Sequence, residues 1–186
     1  MKKIVILLTY LLFLGCQSRD IDPYTNGIVT EASFNGKPWG NTKLRSVYET
    51  HTCSKSLGLV ITVSNVQGFE RESLHITKIP LSVGDFLIKR YTYNNIGCLP
   101  DSPDVYSFYG TSQDDGDVGK DDYDILESSK EINKLVISKY DGKNKYISGE
   151  FSATFLLKRN VDGTKKYFDS VDTIRITEAR FEAWGF

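Results

Sequence analysis

The densest concentration of chemically useful side chains lies between Asp114 and Asp124, where the chain reads DDGDVGKDDYD. Asp114, Asp115, Asp117 and Asp121 head a group of six aspartates in eleven residues. Carboxylates are hard oxygen ligands of the kind calcium takes, and Gly116 and Gly119 allow tight turns between them. The spacing departs from the helix–loop–helix calcium cage and lacks its closing glutamate, so a solvated acidic loop without metal is the competing expectation. His51, Cys53 and His75 are softer ligands, with His51-x-Cys53 the closest pair. Structural zinc wants four ligands in paired short spacings, which these residues do not supply, so the histidines read as ordinary strand or loop positions. Tyr91, Tyr93, Tyr106 and Tyr109, with Phe108, flank Cys98. Flat rings with a polar tip make good ligand surfaces for a glycan or a protein, while cross-strand packing in a β core is the alternative use. There is no G-x-S-x-G elbow and no phosphate-cradling glycine loop, hence no enzyme signature. With 23 Lys+Arg against 24 Asp+Glu the chain has no basic field for nucleic acid.

What Cys16 does depends on the residues before it. Lys2 and Lys3 precede an apolar run, Ile4–Leu14, that stops at Gly15-Cys16. This is the charged, apolar and small-residue order of a secretory signal, and the run is too short to span a bilayer. The Gly-Cys junction resembles the lipobox of bacterial lipoproteins, with Phe13 where leucine is commoner. That resemblance implies removal of residues 1–15, lipidation of Cys16 with more than one acyl chain such as palmitate, and firm membrane anchoring. Two cysteines, Cys53 and Cys98, then remain as an even pair in an oxidising compartment, and a disulfide between them is expected. Residues 16–26 read as the lipidated cysteine and a polar tether. Asp20 and Asp22 partly match the surface-export signal of Bacteroidetes-type lipoproteins, so the expected place is the outer membrane or cell surface, with a periplasm-facing anchor as the alternative.

The elements that must position these groups are strands. Ile28–Phe34 is β-rich and runs into Asn35-Gly36, a strong hairpin signal, and Asp141-Gly142 is a second. Leu57–Ser64 is a near-continuous β-branched run of the kind a strand covered on both faces has. Ser73–Ile79, Asp85–Tyr93, Val105–Thr111 and Leu135–Tyr140 add further strands, and Tyr123–Leu126 reads as strand or as a turn of helix. In Tyr146–Lys158 the residues Ile147, Phe151, Ala153, Phe155 and Leu157 share one face, as in an antiparallel strand with one side on the core. Along Val171–Trp184 the apolar phase switches between Ile174/Ile176 and Phe181/Ala183, which calls for a β-bulge near Glu178-Ala179. The expected fold is a single all-β domain over residues 27–186, an antiparallel β-sandwich or flattened β-barrel of about 8–10 strands.

Three segments carry a wider resemblance: Ala32–Trp39 (ASFNGKPW), Tyr146–Ser152 (YISGEFS) and Ile174–Phe181 (ITEARF within it, led by Ile176). Together they resemble an uncharacterised family of Bacteroidetes-type lipoproteins with a β-rich domain of unknown function. Ala179 stands where that family tends to carry glycine. The resemblance implies envelope location and fold class and brings no catalytic or ligand residues. The function expected from the whole is a membrane-anchored binding or interaction module, against a purely structural envelope lipoprotein or, third, a hydrolase.

Overall fold

The computed structural model describes residues 25–50, 55–91, 104–114, 116 and 118–186. It is all-β. Eleven strands form one sheet: β1 (Gly27–Phe34), β2 (Lys37–Pro38), β3 (Thr42–Thr50), β4 (Lys55–Ser64), β5 (Glu70–Ile79), β6 (Gly84–Arg90), β7 (Val105–Gln113), β8 (Val118–Ile125), β9 (Lys134–Asp141), β10 (Tyr146–Leu157) and β11 (Thr173–Trp184). Nine of them close a barrel in the order β11-β1-β3-β4-β5-β7-β6-β9-β10 and back to β11. Between β7 and β10 the wall is built in two storeys. The starts of β7 and β10 are joined through β6 and β9, and their ends are joined through β8. Closure removes the free edges that an open sheet would expose. Of the two architectures expected, the barrel is the one formed, and the expected all-antiparallel pairing has one exception, the parallel contact of β6 with β7.

The hairpin at Asn35-Gly36 forms as its sequence requires. Both residues take positive φ, 49° and 78°, the mirror-image turn that matches strand twist. The Asp141-Gly142 signal also turns the chain, but Tyr146 pairs with Asp141, so four residues form the connection. Asp141 holds it by accepting the Lys143 and Asn144 amides at 3.0 Å each.

The interior is packed with side chains from alternate positions. Leu57, Leu59 and Ile61 of β4, Leu74 and Ile76 of β5, Phe151 and Phe155 of β10, and Ile176 and Phe181 of β11 are all at most 1% exposed. Each such side chain contributes about 1.5–3 kcal/mol relative to exposure. On the outer face of β4 Ser56 and Gly58 are buried while Val60 and Thr62 are half-buried, so the strand is covered on both faces at its start, as its composition suggested, and only partly on the outer face beyond it.

Two irregularities set the register. On β11, Ala179 pairs with Phe151 and Ile176 with Ala153, so Thr177 and Glu178 together face Ser152. Glu178 takes φ 55° and its amide is met by Ser152 Oγ at 3.2 Å. This is the expected bulge, and it returns Ala179, Phe181 and Ala183 to the core. The left-handed residue is Glu178, and Ala179 points inward with no exposed surface, so the position needs no glycine. The second irregularity lies between β9 and β10 at Ser148/Gly149. There a Cβ on Gly149 would stand 2.1 Å from the Val136 carbonyl oxygen, a contact only glycine avoids.

Two strands lie where the sequence signals were weak. β3 alternates Lys43 and Arg45 with Leu44 and Ser46, and its charged outer face hides the pattern. β8 runs through the aspartate-rich segment expected to be a loop. Among the described residues no helix is long and apolar enough to cross a membrane.

Candidate functional site

The strand ends gather at one end of the barrel into a polar mouth. β1 ends there at Phe34, β5 begins there at Arg71 and Glu72, β7 brings Tyr109 and Thr111, and β8 brings Asp121 and Tyr123. The connection from β10 to β11 closes the rim with Asp169, Ser170 and Val171. Together these line an open cavity of about 280 Å³. The cross-strand register explains the assembly. Glu72, Thr111 and Asp121 form one row across β5, β7 and β8, and Leu74, Tyr109 and Tyr123 form the row beneath it. Both rows are in the inward phase, so a carboxylate at each end of the upper row faces the barrel axis.

The floor is aromatic. Tyr109 meets Tyr123 edge-on at 5.6 Å, and lies 6.0 Å from Phe34 and 5.8 Å from Phe155, centroid to centroid. Trp39, just past the first hairpin, stacks on Phe34 at 5.9 Å and donates its Nε1–H to Glu72 Oε2 at 3.1 Å. Polar contacts fix the opposite wall. The Ser170 hydroxyl donates to Asp121 Oδ2 at 2.6 Å, and the Asp121 amide donates to Thr111 Oγ1 at 3.1 Å. Lys120 pairs with Asp169 at 2.9 Å, and Arg71 donates through Nη2 to the Asp114 carbonyl.

Three polar atoms in this mouth are buried without a hydrogen-bond partner: Arg71 Nη1, Tyr109 Oη and Asp121 Oδ1. Tyr109 is 1% exposed and Asp121 6%. The Glu72 carboxylate faces the Tyr109 hydroxyl closely enough to act on it by charge and by weak hydrogen bonding, but not in a geometry that satisfies the Oη donor. Burial, and then the negative charge of Glu72, push the Tyr109 phenol far above its ordinary range. Burial raises Tyr123 to about 12, with Asp121 adding to the shift. Buried polar groups left unpaired are costly and few in native proteins, so three around one cavity call for an explanation.

The residues singled out in the sequence are divided by this geometry. Tyr109 and Asp121 meet in the mouth. Tyr106 and Tyr109 are three apart on β7 and therefore point to opposite sides of the wall. Tyr106 is itself 5% exposed, with the Lys78 ammonium 5.3 Å from its ring centroid. The expected single surface of tyrosines is therefore corrected: Tyr109 belongs to the interior, and Tyr91 stands on the outer wall. There Tyr91 lies 5.5 Å from Phe108, which stacks face to face on His75 at 4.4 Å. Burial, and then the Arg45 guanidinium, hold the His75 pKa below its usual value.

The acidic segment is likewise not one loop. Asp114 sits in the turn after β7 with φ 54°, while Asp121 is in the strand that follows, about 10 Å further along by strand rise. Asp115 and Asp117 lie outside the described residues, as do Cys16, His51, Cys53, Tyr93 and Cys98. Among the described residues no group of three or more His, Cys, Asp or Glu side chains is placed to hold a metal.

Sequence reading missed Arg71, Glu72, Tyr123 and Ser170. The signal was present in two of them: Glu72 shares the phase of Leu74 and Ile76, and Tyr123 that of Ile125, so a charged or polar-tipped residue stands in an apolar register. No family model, no curated protein and no solved structure matches the chain.

Proposed function

We propose that the chain is a lipid-anchored envelope protein that works as a ligand-binding module, with the barrel mouth as its recognition site. The observation that carries this reading is the set of three unpartnered polar atoms, Arg71 Nη1, Tyr109 Oη and Asp121 Oδ1, around an aromatic-floored cavity. Folding leaves these atoms desolvated at a cost that a bound partner would recover. Barrel mouths are a recurrent place for small-ligand sites.

The anchor is consistent with such a role. Cys16 follows a signal-like N-terminus resembling that of bacterial lipoproteins. β1 starts at Gly27 and runs toward Phe34 at the mouth, so the tether joins the barrel at the far end of that strand. An anchor at Cys16, at the outer membrane or cell surface in this reading, would attach through the end of β1 opposite the mouth. The family proposed is that of Bacteroidetes-type lipoproteins.

The test is an unbiased ligand-observed NMR screen of small polar compounds against the full chain and its Tyr109→Phe and Asp121→Asn variants. At least one compound is expected to bind the parent and to lose binding in both variants. Binding that survives both substitutions, or no binder in the screen, would remove the mouth as a recognition site.

A further inference from the structure

We infer, resting on the mouth as the recognition site, that its ligand is an uncharged polyhydroxylated ring, a single unit such as the end of a neutral glycan. The argument starts from what the three unpartnered atoms can do. A guanidinium nitrogen only donates, an ionised carboxylate oxygen only accepts, and a phenol oxygen does both. A partner that completes Arg71, Asp121 and Tyr109 together must offer acceptors and donors within one small cavity. A hydroxyl offers both from a single atom, and adjacent hydroxyls on a ring offer them at neighbouring points.

Charge excludes the two alternatives. Lys120 is paired with Asp169, which leaves Arg71, Glu72 and Asp121 as the other charged residues lining the site. An anionic ligand would pair with Arg71 and be set against those two carboxylates. A cationic ligand would satisfy Asp121 and leave the Arg71 Nη1 donor buried beside a like charge. A neutral ligand meets neither penalty. The apolar half of the cavity suits a ring as well. Tyr109 and Tyr123 are themselves buried, and the half-buried Phe34 ring beside Tyr109 gives the C–H side of a ring carbon a surface to lie against. At about 280 Å³ the cavity is at the small end for ligand sites, which favours one ring over an extended chain.

Titration calorimetry on the full chain tests this with methyl pyranosides of gluco, galacto and manno configuration. Each is used as the neutral sugar, the 2-amino sugar and the uronate, against the parent protein and Tyr109→Phe, which keeps the ring and the fold. In at least one configuration the neutral sugar is expected to bind, its amino and uronate counterparts to bind tenfold or more weakly, and Tyr109→Phe to weaken the neutral sugar at least fivefold. A uronate or amino sugar that binds as tightly as its neutral counterpart, and is weakened by Tyr109→Phe, overturns the neutral class while leaving the mouth as the site. Sugar binding untouched by Tyr109→Phe places the ligand elsewhere and overturns both. Absence of binding by all nine sugars overturns the class, and the unbiased screen then decides the site separately.

Discussion

Replacing Tyr109 with phenylalanine should stabilise the protein while impairing its binding. The ring is 1% exposed and packs against Phe34, Tyr123 and Phe155, contacts that phenylalanine keeps. The hydroxyl has no hydrogen-bond partner and faces the Glu72 carboxylate. An unpaired buried polar group costs about 1–3 kcal/mol, and deleting it leaves a void of only one oxygen atom, so a net gain of about 1 kcal/mol is expected. For a chain of this size that corresponds to a rise in Tm of roughly 2–4 °C. Ser170→Ala, only a rim away, should do the reverse. It removes the donor to Asp121 Oδ2 and leaves a 6%-exposed carboxylate with both oxygens unpaired, at a cost of about 1–3 kcal/mol. Urea unfolding followed by tryptophan fluorescence measures both, with the denaturant slope as a check that the unfolding transition is unchanged. A loss of more than about 1 kcal/mol in Tyr109→Phe would mean that the hydroxyl is satisfied within the fold, and the reasoning from unpaired atoms to a ligand site would fail.

Three further outcomes are expected. Gly149→Ala should cost at least about 1–3 kcal/mol, because its Cβ meets backbone at Val136 that cannot rotate away; a melting temperature equal to the parent's would contradict the β9–β10 register. Alkaline stability should follow the buried phenols. Tyr109 and Tyr123 have folded pKa values above that of an unfolded tyrosine near 10, so their contribution is intact below about pH 10 and is lost as pH rises toward 12 and beyond, at about 1.4 kcal/mol per pH unit per group. Tyr109→Phe should make that decline shallower, and an unchanged decline in a pH series of urea melts counts against the burial of its hydroxyl. The bridge proposed from the cysteine count alone, between Cys53 and Cys98 outside the described residues, is tested by non-reducing peptide mapping, which recovers the two joined if it forms. Closing a loop of about 45 residues is worth roughly 4 kcal/mol on the chain-entropy account, and finding both thiols alkylatable in the native protein rules the bridge out.

The sequence carried the strand architecture further than it carried the site. Asn35-Gly36 and the phase switch around Glu178 were legible because each is a local rule: a turn that needs two positive φ values, and a period of two that can change only by inserting a residue. β8 was hidden because its outward phase, Asp122 and Asp124, is as acidic as the turn before it, while its inward phase, Asp121, Tyr123 and Ile125, is only partly apolar. The tyrosines looked like one group because they are close along the chain, yet odd spacing on a strand sends Tyr106 and Tyr109 to opposite sides. The mouth needs ends of β1, β5, β7 and β8 and the rim before β11, contributed from Phe34 to Ile174, and barrel closure is what brings them together. No short-range pattern encodes that meeting, although Glu72 in the phase of Leu74 and Ile76 marks one participant.

The central claim is that ligand enters the barrel mouth and does not lie on the outer aromatic wall. Ring-selective isotope labelling of the tyrosines reports on both places in one NMR titration of the full chain with a binder from the screen. Binding in the mouth predicts that the Tyr109 and Tyr123 ring signals move with saturable, matching titration curves while Tyr91 and Tyr106 stay in place. Movement of Tyr91, which packs on Phe108 outside the barrel, with Tyr109 and Tyr123 unchanged, would contradict it.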